Sequence, residues 1–232
     1  MPHWLRRPLV FVACCLFGVS VAQALTVPTG FAVENMVPGT TFTVPTSIAF
    51  LPDGRFLVAE KGGTVRMVVN NVTKPTAVIN LSTEVLDLND RGLLDVAVDP
   101  NYFVNHFIYL LYTVDPDTNG VDTDTPSFAR LARYRMNVSG DTNVVTTSTR
   151  TILFGTDWRH GPLIATGSHT IGSLRWGRDG SLLVSVGEGA NYQYADNGGL
   201  HPTAFGPTKT DPNEDIGAYR SQDITSLCGK IL

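Results

Sequence analysis

After residue 24, short apolar runs rich in Val, Leu, Ile, Phe and Tyr alternate with turns built from Gly, Pro, Asp and Asn. No segment of this part keeps the 3.6-residue apolar period of an amphipathic helix. Short apolar runs separated by turn residues are typical of β-strands that are joined by tight connections. The pattern therefore predicts an all-β protein.

A repeat is visible within this pattern. The segments SIAFLPDGRFLVAEKGG, from Ser47, and SLRWGRDGSLLVSVGEG, from Ser173, align without a gap, and a weaker copy begins at Leu93. The turn aspartate falls at positions 53, 99 and 179. The first interval is close to one propeller blade of roughly 40 to 50 residues, and the second is close to two. Each hairpin is expected to supply the inner strands of a blade, because such hairpins bury their apolar faces by stacking around an axis.

The predicted architecture for residues 25–232 is a β-propeller. The mature chain holds roughly four or five blades at the observed spacing. It ends in the strand-like run LCGKIL. We therefore expect an incomplete N-terminal portion, about half or somewhat more, of a propeller. A complete small propeller is the alternative.

Residues 1–24 differ from the rest of the chain. A basic start, MPHWLRRP, precedes the apolar run LVFVACCLFGVSV and the small residues AQA. This order predicts a secretory signal that is cleaved after Ala24, with an uncleaved anchor as the alternative. The apolar run is too short to span a bilayer, so no membrane span is expected after signal removal. A periplasmic or secreted protein is expected.

The mature chain keeps one cysteine, Cys228, because Cys14 and Cys15 leave with the signal. Such a cysteine is either buried and inert or exposed to reaction. Its neighbours Leu227 and Ile231 are apolar, which favours burial.

Charge excludes one class of partner. The 232 residues carry a formal net charge of −4, and no basic block stands out. Nucleic acid is therefore not expected as a partner, because phosphate binding needs clustered Lys and Arg.

Several common catalytic and nucleotide-binding motifs are missing from the sequence. It contains no nucleophile elbow, Walker loop, dinucleotide fingerprint or His-x-x-x-His pair. Gly187-Glu188-Gly189 is interpreted as a turn and not as a phosphate cradle, since no helix follows it.

Two polar positions stand directly before predicted inner strands. His169 precedes one strand, at a point where propeller loops open onto the central channel. An imidazole is a suitable general base near neutral pH, although a histidine that only caps a strand is the alternative. Asp90 and Arg91 precede another strand in the same way. They could equally form an ordinary surface ion pair.

A third polar segment, DPDTNG, begins at Asp115. Its oxygen-bearing residues Asp115, Asp117 and Asn119 stand as in the first half of a calcium loop, with a Gly for the sharp turn. The twelfth position is Pro126 instead of the usual Glu. Calcium binding here is therefore a hypothesis, with a solvated acidic loop as the alternative.

Four ordered segments carry a family resemblance: PTSIAFLPDGRFLVAEKGGTVR, RGLLDVAVDPNY with IYLLYT, HTIGSLRWGRDGSLLVSVGEG and QDITSLCGKIL. Together they resemble the soluble quinoprotein sugar dehydrogenases of the glucose/sorbosone dehydrogenase family. The resemblance implies a six-bladed propeller that carries pyrroloquinoline quinone (PQQ) and calcium. It also implies oxidation of the anomeric carbon of an aldose substrate and an external electron acceptor.

The resemblance further implies roles for single residues. His169 matches the base that takes the proton from the sugar C1 hydroxyl while hydride passes to PQQ. Asp90, Arg91 and Ser168 match positions that contact the sugar. The glucose enzymes of the family have Gln in place of Asp90 and Asp in place of Ser168, so glucose is not assumed as the substrate.

Alternatives to this activity stay open. The acid-Arg-Gly-Leu variant around Asp90 also occurs in relatives that resemble hedgehog-interacting protein. A non-catalytic secreted propeller that binds protein or glycan is therefore the second hypothesis, and a propeller hydrolase or lactonase is the third. Most PQQ-binding residues of the family match positions beyond residue 232. The chain by itself is accordingly expected to be inactive.

Overall fold

The computed structural model describes residues 27–123, 125–138, 144–199 and 215–232, so the predicted signal at 1–24 lies outside the described residues. The chain divides into two compact units, residues 1–35 and 36–232. In the first unit, the Phe31 N–H donates to the Pro28 carbonyl across 3.1 Å. The described part contains no helix that is long and apolar enough to cross a membrane.

The described residues of the second unit form three antiparallel sheets. The first sheet has the order β1-β2-β3-β4, with β5 paired to β3. Its strands are β1 (Pro45–Phe50), β2 (Phe56–Glu60), β3 (Thr64–Val69), β4 (Val72–Thr73) and β5 (Ile79–Asn80).

The second sheet has five strands and the third sheet has three. The strands of the second are β6 (Leu93–Val98), β7 (Phe107–Thr113), β8 (Ser127–Arg135), β9 (Thr151–Phe154) and β10 (Leu163–Ile164). The strands of the third are β11 (Ile171–Trp176), β12 (Leu182–Val186) and β13 (Lys230–Ile231). The helical segments are α1 (Tyr102–Asn105) and 3₁₀ turns at Thr147–Thr149, Trp158–His160 and Gly217–Ser221.

The three predicted hairpins are confirmed, and each one forms the first two strands of a sheet in chain order. The strand pairs β1–β2, β6–β7 and β11–β12 are antiparallel, and the turn aspartates lie between their strands. The expectation of four or five blades is wrong for the described residues, which form three sheets. In the long interval between the second and third hairpins, the described residues form no further blade, because they supply the outer strands β8, β9 and β10 of the second sheet and their connections.

The first strands of the three sheets lie next to one another, with β6 beside both β1 and β11. Asp95 on β6 joins them: its carboxylate accepts from the Leu174 N–H across 2.6 Å and from the Ser47 hydroxyl. It also accepts from the Val96 N–H across 2.8 Å. Each first strand has a register shift near this level. Inner strands held together, with each sheet continuing away from them, are the arrangement of consecutive propeller blades.

Apolar side chains fill the two spaces between the sheets. One cluster packs the first sheet on the second and includes Leu57, Met67 and Leu110, all fully buried. The other packs the second sheet on the third and includes Leu111 and Val184. Burial of one such side chain contributes about 1.5–3 kcal/mol. The predicted burial of Cys228 is also confirmed, since the residue is 1% exposed.

A polar network lies at the edge of the first cluster. Glu84 accepts from the Tyr112 hydroxyl across 2.6 Å and from Arg150 Nη1 across 2.6 and 2.7 Å. It also contacts Nη1 of Arg130. Burial alone would raise the pKa of Glu84, but the hydrogen bonds from Tyr112 and Arg150 and the charges of both arginines hold it below its usual value. The network is therefore built around an ionised carboxylate.

We expect Glu84→Gln to lower the free energy of unfolding at pH 7 by about 2–3 kcal/mol, because Arg130 and Arg150 stay charged but lose their anionic partner. Since the folded-state pKa of Glu84 is lowered, its contribution is full above the unfolded-state pKa and is lost as the pH falls through the folded-state pKa. Urea unfolding measured along an acid series should therefore show the difference from wild type shrinking with acidification. Glu34→Gln, at an exposed position, is the control. A difference that is independent of pH would contradict the ionised state.

Candidate functional site

His169 lies in the loop between β10 and β11, directly before the inner strand of the third sheet. Its φ of +52° is in the left-handed region, which non-glycine residues seldom adopt and which often marks functional sites. Its N–H donates to Oδ2 of Asp90 across 3.1 Å, and the Asp90 N–H donates to the Gly167 carbonyl across 2.9 Å. The Thr170 hydroxyl donates to the Asp90 carbonyl across 2.7 Å. The structure thus brings the predicted positions 90 and 169 together.

A carboxylate that sequence reasoning missed completes this group. Nδ1 of His169 lies 2.5 Å from Oε1 of Glu188, which follows β12. The Gly189 N–H donates to the His169 carbonyl across 3.0 Å. A Cβ at Gly187 would stand only 2.0 Å from that carbonyl oxygen, so a glycine is needed for this close approach. The segment Gly187-Glu188-Gly189 is a loop, as predicted, but it also aligns the histidine.

The pair has the geometry of an oriented base. The side chains of His169 and Glu188 are 44% and 27% exposed, so both are reachable from solvent. When Nδ1–H of a neutral imidazole donates to a carboxylate, Nε2 is left as the proton acceptor. A carboxylate in this position also fixes the ring orientation and stabilises the imidazolium that forms. The arrangement can accept a proton from a hydroxyl group that is bound beside it.

The other predicted sugar contacts are placed differently. Asp90 is exposed, whereas Ser168 is 3% exposed and donates its hydroxyl to the Ala190 carbonyl across 3.0 Å. Arg91 is fully buried, and its Nη1 donates to the Thr123 carbonyl across 3.3 Å. Arg91 is therefore an interior side chain, not one on the protein surface. Sugar contact by these three residues stays a prediction.

The predicted calcium loop is closed by its own hydrogen bonds. The Asp115 carboxylate accepts from the N–H groups of Asp117 and Gly120 across 3.4 and 3.1 Å, and Oδ1 of Asn119 accepts from the Val121 N–H across 2.6 Å. Burial and the neighbouring Asp117 raise the pKa of Asp115. Among the described residues, no three His, Cys, Asp or Glu side chains are grouped to hold a metal. Calcium binding here stays a prediction without geometric support.

Comparisons with known proteins bear on the fold and on the family. The family model described as "Glucose / Sorbosone dehydrogenase" matches residues 42–232. An uncharacterized protein of Synechocystis is 30% identical over 158 residues, which are 63% of this chain and 33% of that protein.

Solved structures share the fold. An oxidoreductase of Thermus thermophilus, described as a glucose dehydrogenase, has a TM-score of 0.55 at 24% identity. The PQQ-bound aldose sugar dehydrogenase of Streptomyces coelicolor has a TM-score of 0.53 at 20% identity. Each match covers 86% of this chain and 46% of the neighbour, so the chain spans less than half the length of these structures. The all-β propeller architecture is confirmed, and the match over residues 42–232 places the chain in the glucose/sorbosone dehydrogenase family.

Proposed function

We propose that this chain supplies the proton-accepting side of a PQQ-dependent sugar dehydrogenase. The observation that carries the proposal is the contact between His169 Nδ1 and Glu188, in a strained loop held by Asp90. Family membership supports a sugar as the substrate class. An exported, periplasmic or secreted enzyme with an external electron acceptor is part of the same proposal.

In this proposal, His169 Nε2 accepts the proton of the C1 hydroxyl of an aldose. Loss of that proton assists departure of the C1 hydride, because negative charge develops on the oxygen as the proton leaves. Glu188 keeps Nδ1 protonated and stabilises the imidazolium that results. Asp90 holds the backbone of the base and presents an exposed carboxylate next to it, at the position where the sugar hydroxyls are expected. Bound PQQ would supply the hydride acceptor.

The described residues fit the sugar side better than the cofactor side. PQQ has three carboxylates, which need cationic partners. Arg220 is 1% exposed, donates to the Glu188 carbonyl across 3.3 Å and lies 3.3 Å from Oδ1 of Asp215. Arg91 is likewise directed into the protein. The cations that would hold PQQ are therefore expected outside the described residues, and calcium binding is expected to accompany them.

Reconstitution tests this function. The complete polypeptide that contains this sequence is loaded with PQQ and calcium, and dye reduction is measured with a panel of aldoses. We expect turnover with at least one aldose. If the protein oxidises a non-sugar alcohol but no aldose, the substrate class is an alcohol and not a sugar. A folded polypeptide that takes up no PQQ would favour the non-catalytic binding alternative.

Glu188→Gln is expected to lower kcat for the aldose about tenfold or more while KM changes little, because the residue orients the base and does not hold the sugar. Glu188→Asp should recover part of the loss, since the carboxylate is retained. Glu34→Gln is the exposed control and should match wild type. Steady-state kinetics on the reconstituted protein measure all three. An unchanged kcat in Glu188→Gln would remove Glu188 from the mechanism.

A further inference from the structure

A cavity lies apart from the His169 loop. It has a volume of about 550 Å³ and is formed where the connections after β5, β7 and β9 meet the start of β8. None of its wall residues is Asp90, His169 or Glu188. It lies on the same edge of the second sheet as the Asp90 loop, because the Thr113 N–H, next to the wall residue Val114, donates to the Gly92 carbonyl across 3.0 Å. A volume of this size is sufficient for a small organic ligand.

Three guanidinium groups stand in the wall: Arg130, Arg150 and Arg159. Arg130 is fixed, since its Nε donates to the Gly155 carbonyl across 2.6 Å and its Nη2 donates to the Thr156 carbonyl across 3.3 Å. Its guanidinium carbon also lies 5.7 Å from the centre of the Phe128 ring. Arg130 therefore adds a fixed positive charge to the wall.

Two of these arginines share one carboxylate. Glu84 is shared by Arg130 and Arg150, so that group keeps a net positive charge. The hydrogen bonds of Glu84 to Arg150 use Nη1 alone, and the Arg150 side chain is 28% exposed. Arg150 therefore retains N–H donors for another oxygen acceptor.

The other two carboxylates of the wall, Asp115 and Asp157, bond to their own loops. Asp115 accepts from the Gly120 N–H across 3.1 Å, and Asp157 accepts from the Arg159 N–H across 2.9 Å. Oδ1 of Asp157 also lies 2.8 Å from Nδ1 of His160. These two carboxylates are thus hydrogen-bonded within their own loops. The Arg159 guanidinium carbon lies 4.3 Å from the centre of the Trp158 ring, so this cation is held at the cavity wall.

The remaining wall is mixed. Phe128, Val114 and Pro116 present apolar surface, and three threonine hydroxyls, Thr83, Thr118 and Thr156, stand among them. Planar, paired N–H donors match the two oxygens of a carboxylate, and hydroxyls match those of a polyol. We propose that this cavity binds a sugar acid, with its carboxylate on Arg150 and Arg159.

Titration calorimetry with D-glucuronate and its neutral amide, D-glucuronamide, tests the proposal. The sample is the purified, complete polypeptide without PQQ. We expect glucuronate to bind about tenfold more tightly than the amide. Arg150→Gln and Arg159→Gln should each remove most of this preference. Arg178→Gln, in an exposed turn outside the cavity, should retain it.

Equal affinity for acid and amide would overturn the proposal, and so would a preference that survives both cavity variants. Circular dichroism establishes that each variant is folded. If Arg150→Gln does not fold, two measurements still test the proposal. They are the affinities of the two ligands for wild type and their affinities for Arg159→Gln. Because binding is measured without cofactor or turnover, failure here leaves the dehydrogenase function standing, and failure of the dehydrogenase assay leaves this site standing.

Discussion

Replacing His169 with alanine is expected to lower kcat of the reconstituted, complete polypeptide about 10²- to 10⁴-fold, the usual contribution of a positioned general base. The expectation rests on its ring lying 2.5 Å from Glu188 and on a loop that exposes 44% of the side chain. PQQ uptake, followed by absorbance, should remain at the wild-type level. Steady-state dye reduction with the preferred aldose measures the loss.

His160→Ala is the matched control, because His160 also pairs with a carboxylate, Asp157 across 2.8 Å, but lies away from the Asp90 loop. Its activity should stay close to wild type. If His169→Ala keeps wild-type turnover while PQQ is bound, another group accepts the proton and the proposed mechanism is wrong.

The largest effect on stability is expected at Asp95. Its side chain is 4% exposed and accepts hydrogen bonds from the first, second and third sheets. Asp95→Ala leaves the Leu174 N–H and the Ser47 hydroxyl without their acceptor inside the protein. Loss of such a buried charged network costs about 3–5 kcal/mol. Urea unfolding followed by circular dichroism measures the change in the free energy of unfolding.

Asp179→Ala removes the same kind of side chain from an exposed turn, where it accepts from Ser181. We expect this control to unfold at nearly the same urea concentration as wild type. Similar losses for the two variants would mean that the junction of the three sheets does not depend on the Asp95 carboxylate.

Short-range signals make the hairpins predictable. The turn Asp53-Gly54 and the turn Asp179-Gly180 stand between apolar runs, and such turns select a hairpin locally. The grouping of strands into sheets is harder to predict. β7 and β8 are separated by the connection 114–126, and β9 and β10 are short, so nothing local indicates that they extend the second sheet. The number of residues between the turn aspartates Asp99 and Asp179 therefore suggests, by itself, that another blade lies between the second and third hairpins.

Some site residues can be predicted from their position alone. His169 and Asp90 are examples, because each is a polar residue that comes just before a predicted inner strand. Glu188 was missed because its role depends on a contact across 19 positions, made between two loops that only the folded sheets bring together. A carboxylate between two glycines at the end of a repeat unit was the one available signal. Asp95 was missed for the same reason, since its partners come from three sheets. Nor does the sequence show that Ser168 faces inward.

The bond from the His169 N–H to Asp90 has a consequence for any attempt to change the specificity of the proposed sugar dehydrogenase. If residue 90 both recognises a substrate and anchors the base, the two properties cannot be altered independently. Substitutions at position 90 that broaden selectivity would then also release the His169 loop, so a wider substrate range would lower turnover. Directed evolution should therefore leave Asp90 in place and vary the surrounding rim, or introduce a second acceptor for that amide before residue 90 is exchanged.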